Sequence, residues 1–172
     1  MDTTIKIRDD AGAIEIHYED ILTYHGRDFY GGVALTFKVL QLALARLCGT
    51  EIPHRNAIRV VVGFDPPGVI DTIEFVTRAL TRRRLVLEPD PPKGPPSVFG
   101  RYYFEIHCGN RGLRMWLKPG HLPEGFTLLA RKAFAGIADE TELERWKKDK
   151  QTIGRALISR PPEEILEFED LH

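Results

Sequence analysis

The chain has 172 residues, 42% of them hydrophobic and 28% charged, with a formal net charge of −1. That length suggests a single domain, 1–172, able to bury a core without disulfide or metal staples. The composition excludes a disordered chain, and the near-zero charge gives no field that argues for nucleic acid or an acidic membrane. The two cysteines, Cys48 and Cys108, are far apart and form no Cys-x-x-Cys. This excludes a zinc ribbon or iron–sulfur cluster of the usual spacing and suggests a reducing compartment. The opening Met1-Asp2-Thr3-Thr4-Ile5-Lys6 lacks the pattern of a signal peptide. The longest apolar stretch, Val33 to Cys48, is interrupted by Lys38, Gln41 and Arg46, so it is not read as a membrane span. A soluble cytoplasmic protein with no membrane or nucleic-acid partner is expected.

Alternation in Ile5-Lys6-Ile7 and Ile14-Glu15-Ile16 around Asp9-Asp10-Ala11-Gly12 predicts an N-terminal hairpin within 1–18. A short helix over Glu19 to Tyr24 follows, then a segment rich in glycine and ionisable groups, 24–32. Val33 to Cys48 is apolar nearly all round and predicts a central, buried helix stopped by Gly49. The valine-rich run Ala57 to Phe64 predicts a strand covered on both faces. Asp65 is the expected cap of a helix that Pro66 begins, with Val69, Ile70, Ile73, Val76 and Leu80 as its apolar stripe. Leu85-Val86-Leu87 reads as a short strand. Pro89 to Pro96, with five prolines, reads as an exposed, stiff loop, with a lid or a dimer arm as alternatives. Arg101 to Cys108 and Gly112 to Lys118 predict a second hairpin. A helix from about Glu124 to Phe134 and a last helix to about Ile158, opened by the box Thr141-Glu142-Leu143-Glu144, complete the core and the segment 137–172. Ile165 to Leu171 is a candidate terminal strand. One strand–helix–strand unit followed by an antiparallel hairpin argues for α+β with one mixed sheet.

The ionisable residues gather in two places. His25-Gly26-Arg27-Asp28 suits a ligand pocket, with Arg27 as an anion clamp and His25 as donor or general base. The bland alternative is a structural turn with Asp28 as a cap. Asp71, Glu74 and Arg78 share one helix face and either join that pocket or form a solvated face with a Glu74–Arg78 pair. Arg78, Arg82, Arg83 and Arg84 read better as a helix C-terminus than as a phosphate-binding patch. His107 and Cys108, adjacent on a strand, point to opposite faces and form no dyad.

The same residues carry a resemblance. Tyr24-His25-Gly26-Arg27 with Gly32-Val33-Ala34-Leu35 resembles the His-Gly signature of the FmdE family, which is named for a component of formylmethanofuran dehydrogenase. Gly68 to Glu74 and Thr77-Arg78-Ala79-Leu80 are similar to its second block. Arg114 to Pro119, Leu122-Pro123, Arg131 to Gly136 and Pro162 to Leu166 follow its order, so the resemblance covers roughly Tyr24 to the C-terminus. It implies a helix–strand–helix–three-strand core with a mixed four-stranded sheet, here with an N-terminal hairpin and two C-terminal helices added, often paired as a homodimer. It also implies an association with molybdenum or tungsten formylmethanofuran dehydrogenase and one-carbon metabolism. The family pocket can hold zinc or another divalent metal, but most ligand positions differ here. Arg27 replaces a His, Phe29 or Tyr30 falls on a Cys position, and Gly68 and Ala79 fall on two more. Glu74 stands where the family has Gln. The expectation is therefore an accessory or small-ligand-binding protein with no metal ligands and no cofactor. Its pocket would use His25, Arg27, Asp28, Tyr30, Asp71, Glu74 and Arg78 for a small anionic ligand. The alternatives are an enzyme with His25 as acid–base group and a purely structural dimerisation module.

Overall fold

The structure, a computed structural model, describes residues 3–26, 28 and 30–171 and is α+β. Strands β1 (Thr4–Asp9) and β2 (Gly12–His17) form the expected hairpin. Helix α1 (Tyr18–His25) leads to the long α2 (Tyr30–Cys48). Then follow β3 (Ile58–Val62), α3 (Pro67–Thr77), β4 (Leu85–Leu87), β5 (Tyr103–Cys108) and β6 (Arg111–Leu117). Helices α4 (Phe126–Phe134), α5 (Glu140–Ile158) and the single turn α6 (Pro162–Ile165) precede β7 (Leu166–Leu171). The main sheet has the order β4-β3-β5-β6-β7, with β3 and β4 parallel and the other pairs antiparallel. The helix–strand–helix–three-strand order from α2 to β6 is present. The sheet has five strands rather than four, because the candidate terminal strand pairs with β6 over its whole length.

Alternation fixes the two faces of the sheet. Val60, Val62, Phe104, Ile106, Leu113, Met115 and Leu117 are buried on the face that meets α2, and they join one core cluster with Val33, Phe37, Leu40, Val69 and Ile73. By length and composition α2 is apolar enough to cross a membrane, and most of it is buried against the rest of the chain. Lys38, which the sequence suggests would interrupt an apolar span, is itself buried. The opposite face carries Arg59, Glu105, His107 and Arg114, where Glu105 accepts from Tyr103 and Arg114. His107 and Cys108 do lie on opposite faces. Cys108 lies 3.3 Å from Cys48, so residues distant in sequence meet where α2 ends beside the second hairpin. Burial and the neighbouring thiol push Cys48 up to about 12.

Three sequence expectations shift, each for a local reason. Helix α3 begins at Pro67 with Pro66 as its cap, one residue later than expected. A residue before proline avoids helical angles, which holds Pro66 extended. Helix α3 stops at Thr77, with Arg78 in the left-handed region, so Leu80 leaves the apolar stripe and is exposed. Helix α5 is capped by Asp139, not Thr141: the Asp139 carboxylate accepts from the Glu142 amide at 2.8 Å, and Glu142 accepts in return. Aspartate is the better cap of the two.

The proline-rich stretch is not a free excursion. Pro91 is buried, the Tyr102 amide donates to Pro95, and Lys93 pairs with Glu169 above the Trp116 ring. The loop crosses the outer sheet face, turns at Gly100 and returns into β5. Gly100 has φ +110°, and a Cβ there would collide with the Gly63 carbonyl oxygen.

Helices α2 and α5 approach closely because Gly154 faces Tyr30. A Cβ on Gly154 would meet the Tyr30 Cβ and lie 2.9 Å from its carbonyl carbon. Helix propensity alone makes Gly154→Ala stabilising by about 1 kcal/mol. Overpacking at this contact outweighs that gain, at about 1–3 kcal/mol. Urea denaturation is therefore expected to show a lower midpoint for Gly154→Ala at unchanged slope. A raised midpoint would contradict the close α2–α5 contact.

Candidate functional site

The expected site residues that are described fall into three pairs. His25 ends α1 and Asp71 lies on α3, and the structure brings them together: His25 Nδ1 is 2.7 Å from Asp71 Oδ2. The His25 side chain is only 4% exposed, whereas Asp71 is about one-third exposed. The pair, with Tyr24 packed against Phe75, fastens α1 to α3. Arg27 lies outside the described residues, as does Phe29. Asp28 and Tyr30 belong elsewhere, at the α2–α5 contact: Asp28 acts electrostatically on Lys150, and Tyr30 packs on Gly154.

Glu74 and Arg78 are occupied by the end of α3. The buried Glu74 carboxylate accepts from the amides of Leu80 at 2.9 Å and Thr81 at 3.1 Å, and from the Thr81 hydroxyl. Arg78 pairs with it at 3.5 Å, as the spacing of four predicts. Arg55 donates to the carbonyls of Phe75 and Val76, and Arg84 donates to those of Thr77, Arg55 and Ile58. Helix C-termini leave carbonyls without intrahelical partners, and these two guanidinium groups meet them. Part of the basic run thus serves the fold. Burial holds both guanidinium groups below their ordinary range.

A metal centre needs three or four donors. Among the described residues, no group of three or more His, Cys, Asp or Glu is gathered in space. His25 and Asp71 alone do not fit one.

The concave site lies at the carboxyl end of β3. A cavity of about 280 Å3 opens between the first turns of α2 and α3, the end of the proline-rich loop, and helices α4 and α5. Phe64, Tyr102, Phe126 and Leu157 contribute to its apolar wall, and Gly31, Gly32 and Gly68 supply bare backbone. One side is an aromatic ladder drawn from three segments. Phe99 of the loop meets Phe134 of α4 at 5.6 Å between centroids, and Phe134 meets Trp146 of α5 at 5.5 Å. The ladder ends in the Lys150 ammonium, 4.0 Å from the centre of the Trp146 ring. Lys150 is only 9% exposed, and burial lowers its pKa while Asp28 opposes the shift. Burial also pushes the Tyr102 phenol up to about 12, so it stays protonated.

Ser97 shares the wall. It is 3% exposed, and its hydroxyl has no hydrogen-bond partner among the described residues. Bonds between the segments hold the walls in place: Arg131 donates to the Ser97 carbonyl, and Lys132 pairs with Glu142 at 2.5 Å between α4 and α5. Several apolar side chains of these segments stay exposed, among them Phe99 at 66% and Ile137 at 71%.

The sequence reading misses this cavity, although one signal points to it. Trp146, Lys150, Ile153 and Leu157 recur at spacings of four, three and four. Lys150 therefore stands in the middle of a buried helical stripe. Compared with known proteins, the chain matches no family and no curated protein.

The division of roles predicts different mutant behaviour. Glu74→Ala strips partners from the part-buried amides of Leu80 and Thr81 and is expected to cost about 1–3 kcal/mol in denaturant unfolding. Asp71→Ala, which removes the partner of a buried imidazole, is expected to cost a similar amount. Neither change should alter the fluorescence of Trp146 in the folded protein. A Glu74→Ala protein of unchanged stability would contradict the capping role.

Proposed function

We propose that this protein binds a small, largely apolar molecule in the cavity at the carboxyl end of β3. The observation that carries the reading is the cavity itself, walled by aromatic side chains from separate segments and nearly free of charge. Its volume of about 280 Å3 lies just below the usual range for small-molecule sites, about 300–1,000 Å3, which suits a small ligand. The cavity lies at the carboxyl end of β3, beside the N-terminus of α3, in the parallel β3–α3–β4 unit of the sheet. The exposed apolar side chains nearby suit a ligand whose tail emerges from the opening.

The proposal keeps the accessory, ligand-binding role that the FmdE-like residues imply, and it moves the site from the His25 turn to the neighbouring cavity. The alternative of His25 as an acid–base group draws support from Asp71, which would fix the imidazole tautomer. Burial of the ring opposes it, because a general base must come within hydrogen-bond reach of its substrate. No dehydrogenase chemistry is assigned to the chain.

A series of straight-chain alcohols tests the reading. Each buried methylene contributes about 0.8 kcal/mol, roughly a fourfold gain in Kd. From butanol to octanol, affinity read by tryptophan fluorescence and thermal shift is expected to climb at about that slope and then level off. Leu122→Trp, which places an indole in the cavity wall, is expected to abolish binding with the circular dichroism spectrum unchanged. Absence of binding, or equal binding by the folded variant, would overturn the proposal.

A further inference from the structure

We infer that the molecule held in this cavity carries an acid group, bound by Lys150 and Ser97. The inference rests on the cavity being the binding site, and it adds the chemical class of the ligand.

The argument comes from the polarity of the few groups that interrupt the apolar wall. Lys150 lines the cavity, with its ammonium at the end of the aromatic ladder. A buried cation over an indole face is partly stabilised by the ring. Burial still strips it of water and lowers its pKa. An incoming carboxylate restores part of what the cation has lost. Ser97 supplies a hydroxyl that is almost fully buried and has no partner among the described residues, and a carboxylate oxygen would accept from it. The Tyr102 phenol, kept protonated, is a further donor in the wall.

The backbone adds to the same polarity. Gly31 and Gly32 belong to the first turn of α2, where amides lack intrahelical acceptors and the helix dipole favours negative charge. Lys150 is their neighbour: its carbonyl oxygen lies 3.8 Å from the Cβ position of Gly31. The backbone of Lys150 thus packs beside the first turn of α2, and both line the same cavity. Of the described lining residues only Asp65 is acidic, and it is exposed; Asp28, which acts on Lys150 without lining the cavity, is exposed as well. A basic ligand would meet the ammonium as a like charge. A purely apolar ligand would leave the Ser97 hydroxyl without an acceptor and would gain nothing from the ammonium.

Isothermal titration calorimetry of the full chain with octanoate, octanol and octylammonium tests this, because the three share a tail and differ in head group. Octanoate is expected to bind at least tenfold more tightly than octanol, and octylammonium more weakly than either. Lys150→Met keeps the length and apolar stem of the side chain and is expected to remove the octanoate advantage, read as the ratio of octanoate to octanol affinity within the variant. Ser97→Ala is expected to weaken octanoate about fivefold, the size of one hydrogen bond. Equal binding of octanoate and octanol by the unmodified protein would overturn the acid assignment and leave the cavity reading standing. Binding of none of the three would overturn the cavity reading itself. The head-group comparison needs no variant, so it decides the matter even if Lys150→Met fails to fold.

Discussion

Close approach of three helix segments at the first turn of α2 is the constraint on which the rest of the structure depends. Gly31 and Gly32 present bare backbone, and Gly154 on α5 meets Tyr30 without a side chain between them. A Cβ on Gly32 would lie 3.4 Å from the Val69 amide nitrogen, so α3 starts against α2 as well. A concave space beside the end of β3 is lined by all three helices next to this contact. Larger residues there would fill the space or push the helices apart. The same packing places Lys150, a residue of α5, beside the N-terminus of α2.

The charged residues that seem most chemical in the sequence perform a different task. Helix α3 ends abruptly at Thr77, and the chain must turn to start β4 alongside β3. Glu74 gathers the amides beyond the helix end, while Arg55 and Arg84 gather the carbonyls that the helix leaves open. Buried polar groups cost stability unless they are hydrogen-bonded. A dense set of charges at this point is therefore what a sharp, partly buried turn requires. His25 and Asp71, one turn nearer the start of α3, tie α1 to the same helix.

Much of the fold was legible because periodicity reports burial directly. The alternation in 101–118 predicted the second hairpin, and the largely apolar stretch after Gly32 predicted the central helix. Boundaries shifted where local chemistry decided them, as with Pro66 before Pro67 and Asp139 in place of Thr141. The five-stranded sheet differs from the implied four because all of Leu166–Leu171 pairs with β6, a long-range partnership that no local pattern encodes. The meeting of Cys48 with Cys108 is equally non-local. Of the seven residues expected at the site, His25 and Asp71 do meet, and Glu74 and Arg78 meet each other, but none of these four lines the cavity. The cavity escaped notice because its walls are ordinary apolar residues contributed by distant segments. In the sequence these are indistinguishable from core, apart from a lysine placed where a leucine would be expected.

The two tryptophans make the central claim directly measurable. Trp146 lines the cavity, whereas Trp116 lies on the other sheet face beneath Lys93. Their indole N–H resonances can be followed by nitrogen–proton NMR during a titration with octanol and assigned with Trp116→Phe. The account predicts that the Trp146 resonance moves and saturates while the Trp116 resonance stays in place. A Trp146 resonance that does not move, or two resonances that drift together without saturation, would contradict a binding site at the carboxyl end of β3.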